Sequence, residues 1–159
     1  MTQSIGPGLR QQWRRLSVLP GGKRLFSKLL GGIVPYSGTL GAQVEVLQPG
    51  ECVVALRDRR RVRNHLRSVH AMALANLAEL ATGLALMNSL PDQARGILAG
   101  FTIDYLKKAR GRLRAECRCE IPDSNAEREY LLNGEILNTD DEFVAIARAR
   151  WLVGPEVIR

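Results

Sequence analysis

Asn64-His65-Leu66-Arg67-Ser68-Val69-His70-Ala71-Met72-Ala73-Leu74-Ala75-Asn76-Leu77-Ala78-Glu79-Leu80-Ala81-Thr82-Gly83-Leu84-Ala85-Leu86-Met87 is the stretch that decides the fold. From about Val69 its Ala, Leu and Met content favours one helix of about 20 residues, with almost no β-branched residue after the start. Ser68 is placed to cap it, since a serine hydroxyl accepts from a first-turn N–H. Pro91, after the turn-like Asn88-Ser89, stops it. Between Ala71 and Met87 the one charged residue is Glu79. A surface helix keeps a broad polar face. This one does not, so the expectation is a central helix wrapped by protein all round, with a carboxylate in its middle. Asn76, Glu79 and Thr82 argue against a membrane span. A buried Glu is rare unless paired or used.

On both sides of the helix the text turns to strands. Thr39–Leu47 and Glu51–Arg57 read as a hairpin around Gln48-Pro49-Gly50. After the helix come Gly96–Lys107, Arg112–Ile121, Arg128–Leu137 and Glu142–Val153. In the second of these, Leu113, Ala115, Cys117, Cys119 and Ile121 face one way, and Arg and Glu residues face the other. In the last, Phe143, Ala145, Ala147, Ala149 and Trp151 share a face, whose small residues let a helix lie close. Short connections favour antiparallel pairing. The expected class is α+β, a curved antiparallel sheet around one long helix, in a single domain over residues 39–159. Residues 1–38 form an N-terminal helical extension. Helices are expected at Gln11–Val18 and Gly22–Leu30, fraying over residues 1–12, and a connection at Ile33–Ser37; the helices would pack over a sheet edge or help form an acyl tunnel.

The 159 residues suffice for one sizeable core, and 45% hydrophobic with 25% charged residues is an ordinary globular composition. No apolar leader is recognisable and no membrane partner is expected. Three cysteines, Cys52, Cys117 and Cys119, lack the second ligand pair of a zinc site and read as core thiols in a reducing cytoplasm. Formal net charge is +7 with a pI near 9.9, much of it read in Arg57-Asp58-Arg59-Arg60-Arg61-Val62-Arg63. Such a surface suits a polyanion, either a nucleic acid or a phosphorylated cofactor such as coenzyme A, or it is simply solvated. Eight aromatic residues in all, none interleaved with the arginines, make a poor base-stacking platform.

His70 and Glu79 lie nine residues apart, hence about 13 Å along the axis and on opposite sides of the helix. They do not meet within one chain. Two copies with antiparallel central helices bring the helix start of one toward the middle of the other, and two-fold homodimers are the commonest oligomers. The helix start offers unpaired N–H groups and a positive dipole end, suited to a developing oxyanion. Glu79 then serves as general base on water or as nucleophile. His70 reads as a helix-start residue or a base, and Asn64 and His65 as loop-fixing or substrate-contacting residues. No metal-ligand set is present.

The run His70 to Gly83 resembles the central helix of hotdog-fold acyl-CoA thioesterases. It is most similar to the uncharacterised DUF4442-like branch related to phenylacetate-pathway thioesterases. That group commonly shows Asn, a short gap, His-Gly-Gly, and an acidic residue nine positions after the His. Asn64, His70 and Glu79 match, whereas Ala71 and Met72 stand at the glycines. Tyr105-Leu106-Lys107-Lys108-Ala109-Arg110-Gly111-Arg112-Leu113-Arg114-Ala115 is similar to the family's strand-turn-strand segment, and the likeness covers roughly Thr39 to Val153.

The resemblance implies a hotdog fold and an acyl-CoA thioesterase acting as a homodimer or a dimer of dimers. The backbone N–H near Ala71 or Met72 would polarise the carbonyl, and Glu79 would activate water across the interface. Arg61, Arg63, Lys107, Lys108 and Arg110 would meet the phosphates of coenzyme A, which enters as part of the substrate and not as a cofactor. The alternatives are a non-catalytic hotdog protein that binds acyl-CoA or acyl carrier protein thioesters, and a basic nucleic-acid-binding protein.

Overall fold

The computed structural model describes residues 4–155. Three short helices come first: α1 (Gly6–Leu16), α2 (Gly22–Ile33) and α3 (Pro35–Gly38). A hairpin of β1 (Gln43–Gln48) and β2 (Glu51–Leu56) leads to the long helix α4 (Ala71–Ser89). The strands β3 (Ala94–Tyr105), β4 (Leu113–Arg118), β5 (Arg128–Leu137) and β6 (Phe143–Pro155) follow. All six strands form one antiparallel sheet in the order β1-β2-β4-β5-β6-β3. β3 and β1 are therefore its edges. This is the hotdog arrangement, a sheet curled around one helix.

The alternation read in the sequence places the core. Leu113, Ala115 and Cys117 of β4 are buried, as are Ala145, Ala147, Ala149 and Trp151 of β6. Small residues set the helix-to-sheet spacing. A Cβ on Gly134 of β5 would lie 3.1 Å from both the Cβ and the carbonyl oxygen of Ala78. On Gly83 of α4 it would lie 3.1 Å from the Trp151 ring. The Trp151 indole N–H donates to the Thr82 hydroxyl at 3.4 Å, and that hydroxyl donates to the Glu79 carbonyl at 2.9 Å.

Several expectations are corrected. α1 begins at Gly6, not Gln11, because Pro7 sits at a first-turn position where its missing N–H costs nothing. The expected connection at Ile33–Ser37 contains α3, again opened by a proline. The expected fraying of residues 1–3 lies outside the described residues. Ile121 does not extend the inward row of β4. The strand ends at Arg118, and Ile121 is 58% exposed. Phe143 leaves its row because the β5–β6 register shifts there, pairing Leu137 with Phe143 and turning Val144 inward.

The last correction concerns α4. It has the length and composition of a membrane span, but 72% of that window is buried inside the protein. It is not buried all round, however. Met72, Asn76, Glu79, Leu80 and Met87 are exposed or half-buried and recur at helical spacing. One stripe of the central helix is open, and Glu79 lies in it.

Candidate functional site

The start of α4 is held by a web of local bonds. Asn64 Oδ1 accepts from the N–H groups of Leu66 (2.9 Å) and Ser68 (3.2 Å), and its own N–H donates to the Ser68 carbonyl at 2.8 Å. This closes a tight loop in which Arg67 takes a positive φ of 57°. The N–H groups of Val69 and His70 donate to the carbonyls of Ala109 and Val62, each at 2.8 Å. His70, not Ser68, caps the helix: its Nδ1 accepts from the Met72 N–H at 3.0 Å. The Ser68 hydroxyl is buried without a hydrogen-bond partner among the described residues.

That cap decides which donor is free. The Met72 N–H is occupied, while Ala73 and Leu74 donate to the His70 carbonyl. Ala71, at the first helical position, is left as the N–H with no acceptor among the described residues. Tyr105, on the edge strand β3, donates from its hydroxyl to the Ala71 carbonyl at 3.1 Å. Its exposed ring stands beside the helix start. Only three-dimensional pairing shows this, since Tyr105 is 34 positions away.

Glu79 occupies a different environment two turns on. Its carboxylate makes no hydrogen bond or ion pair among the described residues, and burial raises its pKa above the usual carboxylate value. It lines an apolar cleft of about 350 Å³ with Leu80, Leu84, Met87, Ile97 and Trp151. Ile5, Leu30 and Val34 close the cleft from the N-terminal helices. One turn before Glu79 on the same side, Asn76 buries an amide oxygen that has no partner among the described residues. Its place in the stripe was not legible in the sequence. A second cleft of about 430 Å³ shares Leu30, Val34, Ser37 and Leu80 with the first and is lined at its outer part by Arg24 and Lys28.

The basic residues expected at substrate phosphates do not form one cluster. Arg63 Nε donates to Asp58 at 2.6 Å, which holds that carboxyl below its usual range, and the other Asp58 oxygen accepts the Gly111 N–H at 3.0 Å. Lys107 pairs with Glu142 at 2.6 Å. Both charges are thus neutralised locally. Arg61 lies over Gly41, where a Cβ would come 2.2 Å from its guanidinium. Arg110 lies beside the Asn64 loop, with a long 3.5 Å contact to the Leu66 carbonyl, and Lys108 is exposed. Arg61, Lys108 and Arg110 make no ion pair among the described residues. No group of three or more His, Cys, Asp or Glu suited to a metal occurs among them either.

The profile of one family, described as "Domain of unknown function (DUF4442)", matches residues 22–153. The chain is a DUF4442 protein. The match takes in α2 and α3 as well as the sheet and the central helix. The DUF4442 chain is similar to a structural-genomics protein, APC5556, with 33% identity and a TM-score of 0.80, over 93% of this chain and 99% of that one. It is also similar to PA5026 of Pseudomonas aeruginosa, described as a protein of unknown function and probable thioesterase. There the identity is 25% and the TM-score 0.72, over 87% and 97% of the two chains. A thioesterase family protein from Silicibacter pomeroyi shares the fold at 17% identity and a TM-score of 0.69, over 81% and 96%. Among proteins of curated function, none matches. The DUF4442 chain is thus a hotdog-fold member of the thioesterase superfamily.

Proposed function

We propose that this protein hydrolyses acyl thioesters as a homodimer. The observation that carries the reading is the Glu79 carboxylate, unpartnered and half-buried in an apolar cleft on the open stripe of α4. A carboxylate kept free of partners in such a place is suited to act on water. Within one chain, Ala71 and Glu79 stand about 12 Å apart along the helix. A complete site takes the Ala71 N–H from one copy and Glu79 from the other. The cleft borders β3, an edge strand of 12 residues with one unpaired side, along which a second copy can add. Asn64 and His70 hold the loop and the cap that aim the Ala71 N–H.

In this mechanism Glu79 removes a proton from water as the oxygen attacks the thioester carbonyl. The Ala71 N–H and the helix dipole stabilise the oxyanion. Collapse breaks the C–S bond and the departing thiolate takes the proton from Glu79, leaving acid and thiol. The acyl chain occupies the apolar cleft. Coenzyme A or a carrier protein supplies the thiol, and Arg61, Lys108 and Arg110 are the basic groups free to meet its phosphates. Buried unpaired thiols favour a cytoplasmic setting.

One observation favours the non-catalytic alternative, in which the thioester binds without cleavage. The His70 cap removes the Met72 N–H from service and leaves a single backbone donor at Ala71, whose methyl group narrows the approach to it. Hydrolysis across acyl-CoA chain lengths, wild type beside Glu79→Gln, separates the two. Turnover that falls about tenfold or more in the folded variant supports the enzyme. Acyl-CoA binding without turnover establishes the alternative.

A further inference from the structure

The N-terminal 44 residues contain no Asp or Glu, but they hold Arg10, Arg14, Arg15, Lys23, Arg24 and Lys28. Those six cations leave seventeen against sixteen carboxylates in the rest of the chain. α1 and α2 therefore form a second basic region beside the Arg57–Arg63 run, and unlike that run it has no acidic residue in its own segment. Arg10 is tied to Asp92, and Lys23 lies over the Trp13 ring and donates to the Glu45 carbonyl. Arg14, Arg15, Arg24 and Lys28 make no ion pair among the described residues.

The same helices expose apolar side chains. Val18 and Leu19 in the α1–α2 turn are 77% and 54% exposed. On α2, Leu25, Leu29 and Ile33 follow each other at four-residue spacing and are about half exposed, and Tyr36 of α3 continues them at 70%. At 100° per residue, Arg24 and Lys28 fall on the flank next to this row, while Phe26 and Leu30 point into the core. A row of aliphatic side chains bordered by unpaired cations on a surface helix is the pattern of a helix lying in a lipid interface.

We propose that α2, with the Val18-Leu19 turn and Tyr36, is a peripheral docking surface for membranes that contain anionic lipid. Val18, Leu19, Leu25, Leu29 and Ile33 enter the acyl region, and Arg14, Arg15, Arg24 and Lys28 meet the headgroup phosphates. A second copy of this chain is a poor occupant. A two-fold contact sets a patch against itself, and this patch has cations with no carboxylate to answer them. The apolar cleft beside Glu79 is walled by Ile5, Leu30 and Val34 of the same helices. Docking therefore sets that cleft next to the phase in which long acyl chains dissolve. The surface assignment itself does not depend on the thioesterase reading.

The test is co-sedimentation of the full chain with vesicles of phosphatidylcholine alone and with 25% phosphatidylglycerol, at low and high salt. Binding to the anionic vesicles, at least tenfold weaker on neutral ones and weakened by salt, is expected. Leu25→Glu/Leu29→Glu and Arg24→Glu/Lys28→Glu change exposed positions, so both should fold, as circular dichroism would show, and each should lose binding at least tenfold. Four results overturn the proposal. The wild type does not bind anionic vesicles at low salt, or both variants bind as it does. Alternatively, sedimentation shows the Leu25→Glu/Leu29→Glu protein dissociating from a dimer, or an acidic carrier protein binds the patch while vesicles do not.

Discussion

The Met72 N–H donates to His70 Nδ1 at 3.0 Å, so the histidine at the mouth of the central helix is engaged by the helix itself. Its ring replaces one of the bonds that a helix end lacks. His70→Ala should therefore cost about 1 kcal/mol, a fall in Tm of about 2–4 °C for a chain of this size. His70→Asn, whose side-chain oxygen reaches the same donor, should recover most of it. Equal melting of wild type and His70→Ala would show that the bond contributes nothing.

In the proposed mechanism Glu79 links stability and activity to pH with opposite signs. Its folded-state pKa is raised by burial, so the folded chain binds this proton more tightly than the unfolded one. The stabilising contribution is full below the unfolded pKa of about 4.5 and is lost as pH rises through the folded value. Glu79→Gln removes the ionised group. It should be more stable than wild type at pH 8, with the gap closing toward pH 4, and slower in thioester hydrolysis by about 10²–10⁴. The rising limb of the wild-type pH–rate profile should lie above the ordinary carboxylate range. Urea titrations at the two pH values and initial rates check both halves.

Gly134 fixes the distance between β5 and α4. A methyl group there meets the Ala78 carbonyl and Cβ at 3.1 Å, and neither belongs to a flexible side chain. Gly134→Ala should destabilise by about 1–3 kcal/mol, the range for overpacking a well-packed core. A variant that unfolds at the wild-type urea midpoint would mean that the sheet yields freely here.

The three thiols should be silent in the folded protein. Cys52 and Cys117 face each other across β2 and β4. Burial and the neighbouring Cys119 push Cys117 up to about 12, and burial also raises Cys52 and Cys119. A thiol reagent at pH 8 should find fewer than one reactive group in the native state and three after denaturation.

The long helix was legible because its Ala and Leu content and Pro91 speak locally, and the strands because their alternation does. The cap was not, since Ser68 ranks above histidine in every local preference; the turn of the Asn64 loop puts His70 at the helix entrance instead. An Ala- and Leu-rich helix reads as buried on every side, so the open stripe through Asn76 and Glu79 appears only once the sheet is wrapped around it. Arg63 looked like an available cation because Asp58 reaches it across a loop closed by Gly111. Composition gave Glu79 its prominence; its partnerless apolar setting is a product of folding.

The two borders of the sheet differ in kind. β1 is six residues long, has an irregular register near Val44–Val46, and is covered by α2, whose Ser27 hydroxyl accepts the Val44 N–H at 2.9 Å. β3 is twice that length, and its outer side pairs with no strand among the described residues. A strip of sheet with two bare sides is a monomer for a polymer, since each addition recreates the side it covers. With one side sealed, the sheet has a valence of one among the described residues: in the proposed homodimer, joining β3 to β3 would cover the remaining border of both copies and stop growth at two.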